Sequence, residues 1–254
     1  MQKQFFTEAI SLEIFETISK ASQQLGLESY VIGGFVRDYF LKRGTAKDID
    51  IVTIGSGIDL AEKVSSLLSN KPKVQIFKTY GTAMLRYKDI EIEFVGARKE
   101  SYSEESRNPE VSEGNLQDDQ NRRDFTINAL ALSLNETNFG ELLDPFNGID
   151  DLGNGILRTP LNPDITYSDD PLRMMRAIRF ASQLNFKIEK KSLAAITKNS
   201  ERLEIITRER ILDELNKVMS CEKPSIGFLL LEETKLLAQI IPELIDLKGV
   251  EEVE

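Results

Sequence analysis

Residues 32–38 read Ile32-Gly33-Gly34-Phe35-Val36-Arg37-Asp38, and ten residues after Asp38 the chain reaches Asp48-Ile49-Asp50. Val31-Ile32 has the character of a strand end, and the two glycines let backbone N–H groups come close to a phosphate chain. The apolar residues around the two aspartates predict a strand over Asp48–Ile54, so both carboxylates point to one face. Hard oxygen ligands beside such a turn suit Mg²⁺ and a two-metal displacement at phosphorus.

The pair Asp48 and Asp50 also has a simpler interpretation, a turn followed by a solvent-facing strand with two exposed acids. Taken alone, the pair favours that interpretation at roughly two to one. Its combined spacing with the glycine pair and with Arg37-Asp38 reverses the balance. The sequence therefore predicts a metal-dependent site that handles phosphate.

Two later stretches narrow the class of protein. They are Arg122-Arg123-Asp124-Phe125-Thr126-Ile127-Asn128-Ala129-Leu130 and Asp169-Asp170-Pro171-Leu172-Arg173-Met174-Met175-Arg176-Ala177-Ile178-Arg179-Phe180. Together with the glycine and aspartate motifs, the chain resembles the nucleotidyltransferase superfamily that includes DNA polymerase beta. Within it, the later stretches resemble the class II branch of bacterial tRNA nucleotidyltransferases and poly(A) polymerases.

The resemblance implies a fold of α+β or α/β type, a polymerase beta-like palm with a mixed sheet, followed by a helical neck and the start of a helical body. It implies template-independent addition of CCA to the 3′ end of tRNA from CTP and ATP, with two Mg²⁺ ions and release of pyrophosphate. Alternatives are an enzyme that adds only CC or only A, a bacterial poly(A) polymerase, and a non-catalytic nucleotide- or RNA-binding module. Poly(A) polymerase relatives carry a basic, histidine-containing stretch after the metal strand, which residues 73–83 here lack.

Composition limits the function classes. The chain has 254 residues, 41% of them hydrophobic, with a single cysteine, Cys221, and no histidine. These counts exclude an internal disulfide and histidine-based catalysis, and no zinc site is expected. Because no apolar run approaches ~18 residues, we expect no membrane partner and a cytoplasmic location.

The net charge of −10 is unfavourable for a tRNA partner, since phosphate neutralisation dominates affinity for nucleic acids. Positive charge is concentrated at Arg122-Arg123 and in the run that carries Arg173, Arg176 and Arg179. Members of the resembling family continue into helical tRNA-binding domains, so the abrupt end at Glu254 suggests an excised fragment. The sequence makes no prediction of the oligomeric state.

Patterning divides the chain into a palm at 1–148, a helical neck at 149–219 and the start of a body at 220–254. A helix is predicted over 4–25, with Gly26 as its stop. Further strands and helices alternate, with strands near 29–33, 48–54, 73–77, 81–88 and 90–96 and helices near 35–43 and 57–69. Lys88-Asp89 reads as a hairpin turn.

Residues 97–120 are polar and aperiodic, which predicts a long loop. In the resembling enzymes the corresponding loop is flexible and helps to switch the nucleotide being added. A passive loop is an equal alternative.

The metal ligands are predicted to be Asp48 and Asp50. A third carboxylate is expected from the neighbouring strand, where Glu91 and Glu93 share one face. Matching Arg98 to the arginine that closes this strand in the resembling enzymes favours Glu93, although a slip by one pair exchanges the two glutamates. In those enzymes the third acid mainly activates the attacking hydroxyl.

The triphosphate is predicted to meet the turn at Gly33 and Gly34, the latter through its backbone. Arg37 would contact it through the guanidinium group. Asp38 would either orient Arg37 or cap the helix that begins there.

The later arginine motif adds further nucleotide contacts by resemblance. Arg123 is expected to bind phosphate and Arg122 to lie at the surface or on RNA. Asp124 and Asn128 would either contact sugar and phosphate or form buried scaffold, with even weight.

Base choice is predicted to depend on Asp170 and Arg173, which are three residues apart and so neighbours on one helical face. Asp170 can only accept hydrogen bonds and Arg173 can only donate them, which matches the Watson–Crick edges of cytosine and adenine but not those of guanine and uracil. Arg176 would lie beside Arg173, whereas Arg179 is turned about halfway round. The alternative is a surface ion pair.

Residues 209–217 resemble a segment that supports the neck. The apolar positions around it are predicted to be core, namely Leu203, Ile206, Ile211 and Leu215. Arg210 is a candidate for an ion pair to the site.

Overall fold

The computed structural model describes residues 3–44, 47–103, 106–247 and 249. Internal contacts divide the chain into two compact units. The first runs to Ser101 and resumes over Glu110–Leu152, and the second contains Tyr102–Pro109 and the chain from Gly153 onward.

The first unit combines helices and strands. The elements up to its end, of which β6, β7 and α5 lie partly in the second unit, are α1 (Glu13–Leu25), β1 (Glu28–Ile32), α2 (Gly34–Phe40), β2 (Asp48–Ile54), α3 (Gly57–Leu67), β3 (Gln75–Phe77), β4 (Thr82–Tyr87), β5 (Ile90–Gly96), β6 (Arg98–Ser103), β7 (Ser106–Glu113), α4 (Leu116–Asn121), β8 (Ala131–Ser133), β9 (Leu142–Leu143) and α5 (Gly148–Asn154). A short 3-10 helix at Thr126–Asn128 precedes β8.

Seven strands form one sheet in the order β3-β4-β5-β2-β1-β8-β9. Strands β2 and β5 are parallel, and the other neighbouring pairs are antiparallel. The predicted mixed sheet with helices is confirmed, and so is the hairpin turn, where Lys88 has a φ of 55° between β4 and β5.

The two faces of β2 bury different neighbours, as alternation along a strand requires. Ile49 and Ile51 are buried on the face that packs with α3, where Leu60 and Val64 are also buried. Val52 lies on the opposite face, in an apolar cluster with Tyr30, Ile32, Ala97 and Ala131, against which Leu116 of α4 packs. Asp48 and Asp50 share that second face with Val52.

The predicted helix over 4–25 begins later than its apolar pattern suggests. Residues 7–10 form a 3-10 turn and Phe5 bridges to Glu141, so the α-helix starts only at Glu13. It ends at Gly26, whose left-handed φ of 67° confirms the predicted stop.

The predicted loop over 97–120 is wrong in part. Strands β6 and β7 pair as a two-stranded sheet, and α4 follows. A strand pair shows alternating polarity only when one of its faces is buried, so a polar ribbon carries no such pattern. Helix α4 begins with a capping box of Asn115 and Asp118.

The second unit is mostly helical. After the end of α5 its elements are β10 (Ile156–Leu157), α6 (Pro163–Asp169), α7 (Leu172–Leu184), β11 (Lys187–Ile188), α8 (Lys190–Asn199), α9 (Arg208–Met219), α10 (Pro224–Glu233), α11 (Leu236–Ile240) and α12 (Pro242–Asp246). Helices α7, α9 and α10 pack together, and the predicted core positions Leu203, Ile206, Ile211 and Leu215 are all buried.

Helix breaks in this unit follow the sequence signals. Asn185 ends α7 in the left-handed region, with a φ of 56°, and Pro224 and Pro242 occupy first turns. Every helix in the described part of the chain is too short or too polar to cross a bilayer.

Candidate active site

Strand pairing brings the predicted acids to one place in the first unit. In the parallel β2–β5 pair, Asp50 is opposite Glu93 and Asp48 is opposite Glu91. On the other side of β2, Asp50 is opposite Ile32, the last residue of β1 before Gly33. Glu93 is therefore the glutamate in register with Asp50 and the glycine turn, which favours it over Glu91 as the third carboxylate.

Burial disfavours the charged forms of Asp50 and Glu93, and the arginines near them offset it only in part. Burial raises the pKa of Asp50, the negative charges of Asp119 and Asp48 raise it further, and Arg123 and Arg122 oppose that shift. Loss of solvation and the charge of Asp50 raise the pKa of Glu93, although much of its side chain remains open to solvent. Two acids that disfavour each other's charge gain from a cation placed between them.

The donor set suits Mg²⁺, since Asp48, Asp50 and Glu93 offer only carboxylate oxygens on one face of two adjacent strands. Among the described residues, no three acidic or cysteine side chains are already gathered closely enough to enclose an ion. Mg²⁺ keeps several waters and is commonly held by one or two carboxylates together with substrate phosphates, so the residues present fit it.

Gly33 is the point where the turn, the acids and an arginine meet. Its φ is 81°, and a Cβ there would lie 2.9 Å from Arg123 Nη1 and 3.3 Å from Asp50 Oδ2. Any side chain would therefore clash or be strained. The Gly33 N–H is already used, since it donates to Leu130 O at 3.2 Å. Gly33 therefore allows other groups to approach the backbone closely, and the N–H groups of the first turn of α2 begin with that of Gly34.

Arg37 is buried, and its guanidinium group is held on two sides. Its Nε and Nη2 each donate to Asp38 carboxylate oxygens at 2.9 Å, and its Nη1 donates to Asn128 Oδ1 at 2.8 Å. Of the two roles considered for Asp38, the structure supports the one in which Asp38 orients Arg37.

Asp124 and Asn128 form buried scaffold around this group. Asn128 Nδ2 and the Phe125 N–H both donate to Asp124 Oδ1 at 2.9 Å. Asn128 thus passes the constraint from Asp124 to Arg37. This geometry favours the scaffold role that the sequence left open, with an indirect effect on the nucleotide.

Arg123 depends on a residue that sequence reasoning missed. Its Nε donates to Asp119 Oδ2 at 3.1 Å, and its Nη1 lies 3.4 Å from Asn128 O. Asp119 also pairs with Arg122 through Oδ1. The sequence signal was an acid three and four residues before two arginines, the spacing of helical ion pairs, but it lay in the segment predicted as loop.

The predicted base-reading residues lie in the second unit, and one of them is outside the helix. Asp170 has extended backbone after α6, and its Oδ1 accepts from the Leu172 N–H at 3.2 Å. Asp170 therefore lies between α6 and α7 and not within a helix, so the prediction of two neighbours within one helix is wrong. One carboxylate oxygen of Asp170, Oδ1, is therefore hydrogen-bonded to the backbone at the start of α7.

Arg173 and Arg176 differ in their surroundings. Arg173 is 9% exposed, and its Nη1 lies 3.4 Å from Thr166 O in α6. Arg176 lies 5.6 Å from the centre of the Phe180 ring. Both belong to α7, and Arg173 N donates to Asp170 O at 3.0 Å, so Asp170 and Arg173 remain adjacent through the backbone.

The link from α9 to α7 is not made by Arg210, which is exposed. Glu214 makes it instead, with its Oε2 2.7 Å from Arg179 Nε and its Oε1 2.9 Å from Lys217 Nζ. Glu214 is buried, and Arg179 also lies over Phe180 at 4.1 Å. Residues 209–217 thus have a structural role, as predicted, but the ion pair to α7 is made by Glu214.

A mixed sheet with acids on parallel neighbouring strands, beside a glycine turn and two held arginines, defines a nucleotidyltransferase palm. The chain belongs to the poly(A) polymerase head domain family: the model described as "Poly A polymerase head domain" matches residues 29–158. A second model, "Probable RNA and SrmB- binding site of polymerase A", matches residues 185–247.

Several named relatives resemble this chain. A CCA-adding enzyme of Enterococcus faecalis is 40% identical over 76% of this chain and 46% of its own length. A CC-adding tRNA nucleotidyltransferase of Halalkalibacterium halodurans is 36% identical over 83% of this chain and 49% of its own. An A-adding tRNA nucleotidyltransferase of Aquifex aeolicus is 36% identical over 74% of this chain and 23% of its own. The chain spans about half of their length or less.

Solved structures agree in fold. A CCA-adding enzyme in its apo form II matches with a TM-score of 0.85 and 31% identity, over 96% of this chain and 59% of the other. A complex of a CCA-adding enzyme with ATP matches with a TM-score of 0.82 and 30% identity, over 96% and 58%. The match extends through both units of the chain.

Proposed function

We propose that this chain carries the catalytic and base-selecting parts of a cytoplasmic, template-independent nucleotidyltransferase. It acts on the 3′ end of tRNA and adds C and A from CTP and ATP, with release of pyrophosphate. The reaction joins a 3′-hydroxyl to the α-phosphate of the nucleotide, and the leaving group takes up the negative charge.

The observation that carries the proposal is the convergence at Gly33. A side chain placed at Gly33 would meet Arg123 and Asp50 within 3.3 Å of its Cβ, and Glu93 is in register with Asp50 on the neighbouring strand. Acids for a cation, an arginine for phosphate and a backbone that admits close approach are the parts that nucleotidyl transfer requires.

Each residue has a distinct task in this proposal. Asp48 and Asp50 would hold the two Mg²⁺ ions, which when bound polarise the phosphates and lower the pKa of the hydroxyl. Glu93 accepts the proton of the attacking 3′-hydroxyl. The guanidinium groups of Arg37 and Arg123 bind the triphosphate, and each is fixed beforehand by hydrogen bonds to the fold.

Base choice is assigned to Asp170 and Arg173, with Arg176 beside them. Asp170 accepts a hydrogen bond from the exocyclic amino group of cytosine or adenine, and Arg173 donates to the adjacent ring nitrogen. Guanine and uracil present a carbonyl and a ring N–H at those places, so both of their contacts would be mismatched. The restraint of Asp170 by the Leu172 N–H supports a fixed acceptor.

The test is single-turnover incorporation of each of the four NTPs by the whole protein that carries this chain. Primers are tRNA transcripts that end before CCA, after C and after CC. We expect C, C and A to be added in turn, with G and U rejected. Asp170→Ala should lower CTP and ATP incorporation together, about 10- to 100-fold for a lost hydrogen bond at a charged site.

The same assay separates the alternatives. Addition that stops after CC, or that starts only on CC ends, would indicate a partial enzyme of the kind named among its relatives. Repeated A addition to RNAs unrelated to tRNA would indicate a poly(A) polymerase. Incorporation of none of the four nucleotides would overturn the proposed function.

A further inference from the structure

Asp119 is a carboxylate with no exposed surface, and both of its oxygens are engaged by guanidinium groups. Oδ1 pairs with Arg122 and Oδ2 accepts from Arg123 Nε at 3.1 Å. Burial alone would raise the pKa of Asp119, but Arg123 and Arg122 outweigh it and hold that pKa below its usual range. Asp119 is therefore ionised and saturated with positive partners.

The helix that carries Asp119 is itself fixed to the sheet. Next to Asp119, the buried Gln120 donates through Nε2 to Ala129 O at 2.7 Å and to Leu143 O at 3.2 Å. Leu116 packs into the apolar cluster on the same face of the sheet as Asp50. Asp119 thus projects from an anchored helix, and the guanidinium groups bonded to it are fixed relative to the sheet.

Ionised Asp119 stabilises the folded chain once its two arginines are in place, but stability alone does not explain why charged groups are buried here. Apolar residues of similar volume commonly serve as well as a buried ion pair. What the pair does achieve is direction. With Nε bound to Asp119, the guanidinium group of Arg123 turns its Nη1 toward Asn128 O and to the space beside Gly33.

We propose that Asp119 is a positioning residue that aims Arg123 at the nucleotide phosphates from α4. It acts through Arg123 and not through Arg122, which shares the same carboxylate at its other oxygen. The proposal rests on the proposed function, since it assumes that Arg123 meets a triphosphate.

The test is a double-mutant cycle on the affinity of the chain for CTP and ATP with Mg²⁺, measured by calorimetry. Asp119→Ala and Arg123→Ala should each weaken binding about 10- to 100-fold, as expected for one charged hydrogen bond. In the Arg123→Ala background, Asp119→Ala should add no further loss. In the Arg122→Ala background, it should keep its full effect, which makes Arg122 the matched control.

A second measurement reads the position of Arg123 without nucleotide. Phenylglyoxal modification, followed by mass spectrometry, should be several-fold faster at Arg123 in the Asp119 variants, with the exposed Arg210 as the internal reference. Asp119→Asn keeps the shape of the side chain and replaces Asp119→Ala if that variant fails to fold.

The outcomes separate the two proposals. Independent, additive losses from Asp119→Ala and Arg123→Ala, or an unchanged rate of modification at Arg123, would overturn the positioning role alone. A wild-type chain that binds neither nucleotide would overturn the phosphate role of Arg123 and count against the proposed function. Full coupling through Arg123 together with faster modification supports the inference.

Discussion

Strand β2 and helix α4 each place a carboxylate in the same part of the first unit, and the two carboxylates are in opposite electrostatic states. Burial and neighbouring acids raise the pKa of Asp50, whereas two arginines lower the pKa of Asp119. Both lose much of their hydration. They differ in how far arginines offset that loss: Arg122 and Arg123 bond directly to Asp119, whereas at Asp50 they only reduce a pKa shift that remains upward.

This difference separates a residue that awaits a ligand from a residue that is part of the framework. Asp119 is already paired with two arginines of the fold, and it fixes the side chain of Arg123. Asp50 and Glu93 retain an excess of negative charge that a cation from solution would relieve. Perturbed groups gather at functional sites for either reason, and only the partners tell the two apart.

The largest effect expected from this contrast is on catalysis. Asp48→Ala and Asp50→Ala should each reduce single-turnover incorporation by on the order of 10³-fold or more, the scale seen when a group essential to the transition state is removed. The far-UV circular dichroism spectrum should stay unchanged, because neither side chain lies in the apolar core. Near-normal incorporation by either variant would remove the two-metal assignment.

A smaller effect distinguishes the two glutamates of β5. Glu93→Gln should slow incorporation about 100-fold, as expected for loss of a general base, because Glu93 is in register with Asp50. Glu91→Gln, one pair along the same strand and opposite the exposed Asp48, is the matched control and should stay within a few-fold of wild type. The reverse order would mean that Glu91 is the third carboxylate.

The strand acids could be placed from the sequence because strands have a period of two. Once Ile49 and Ile51 are recognised as core, Asp48 and Asp50 must point the other way. The sequence leaves the third carboxylate open, because Glu91 and Glu93 satisfy the same alternating pattern. Only pairing in three dimensions sets their register against β2.

Asp119 was not predicted, and Asp170 was predicted as a base reader but placed within a helix, because both lie at or near helix ends. Helix α4 has six residues and follows a polar ribbon, so its ion-pair spacing looked like part of a loop. Asp170 lies beside Pro171, and α7 begins only at Leu172. Helix boundaries depend on capping contacts that a periodic pattern does not contain.

The contrast also predicts opposite changes in folding stability without metal. Asp119→Asn should lower the free energy of unfolding by about 2 kcal/mol at pH 7, since it removes the charge from bonds to two guanidinium groups. Chemical denaturation with EDTA present measures the change. Because the folded pKa of Asp119 is depressed, its contribution is present above its unfolded pKa and is lost as pH falls through the folded value. The difference from wild type should therefore persist at pH 5.

Asp50→Asn should do the reverse, and raise the free energy of unfolding by about 1 kcal/mol at pH 7. The folded pKa of Asp50 lies above its unfolded value, so its ionisation destabilises the folded state as pH rises through that window. At a pH below both the folded and the unfolded pKa, Asp50 of the wild type is protonated in both states. The advantage of Asp50→Asn over wild type should therefore vanish on acidification. Asp48→Asn, on an exposed side chain, is the control with little change. If Asp50→Asn were instead less stable than wild type at pH 7, the acids of β2 would already be neutralised within the fold, and Asp50 would be framework like Asp119.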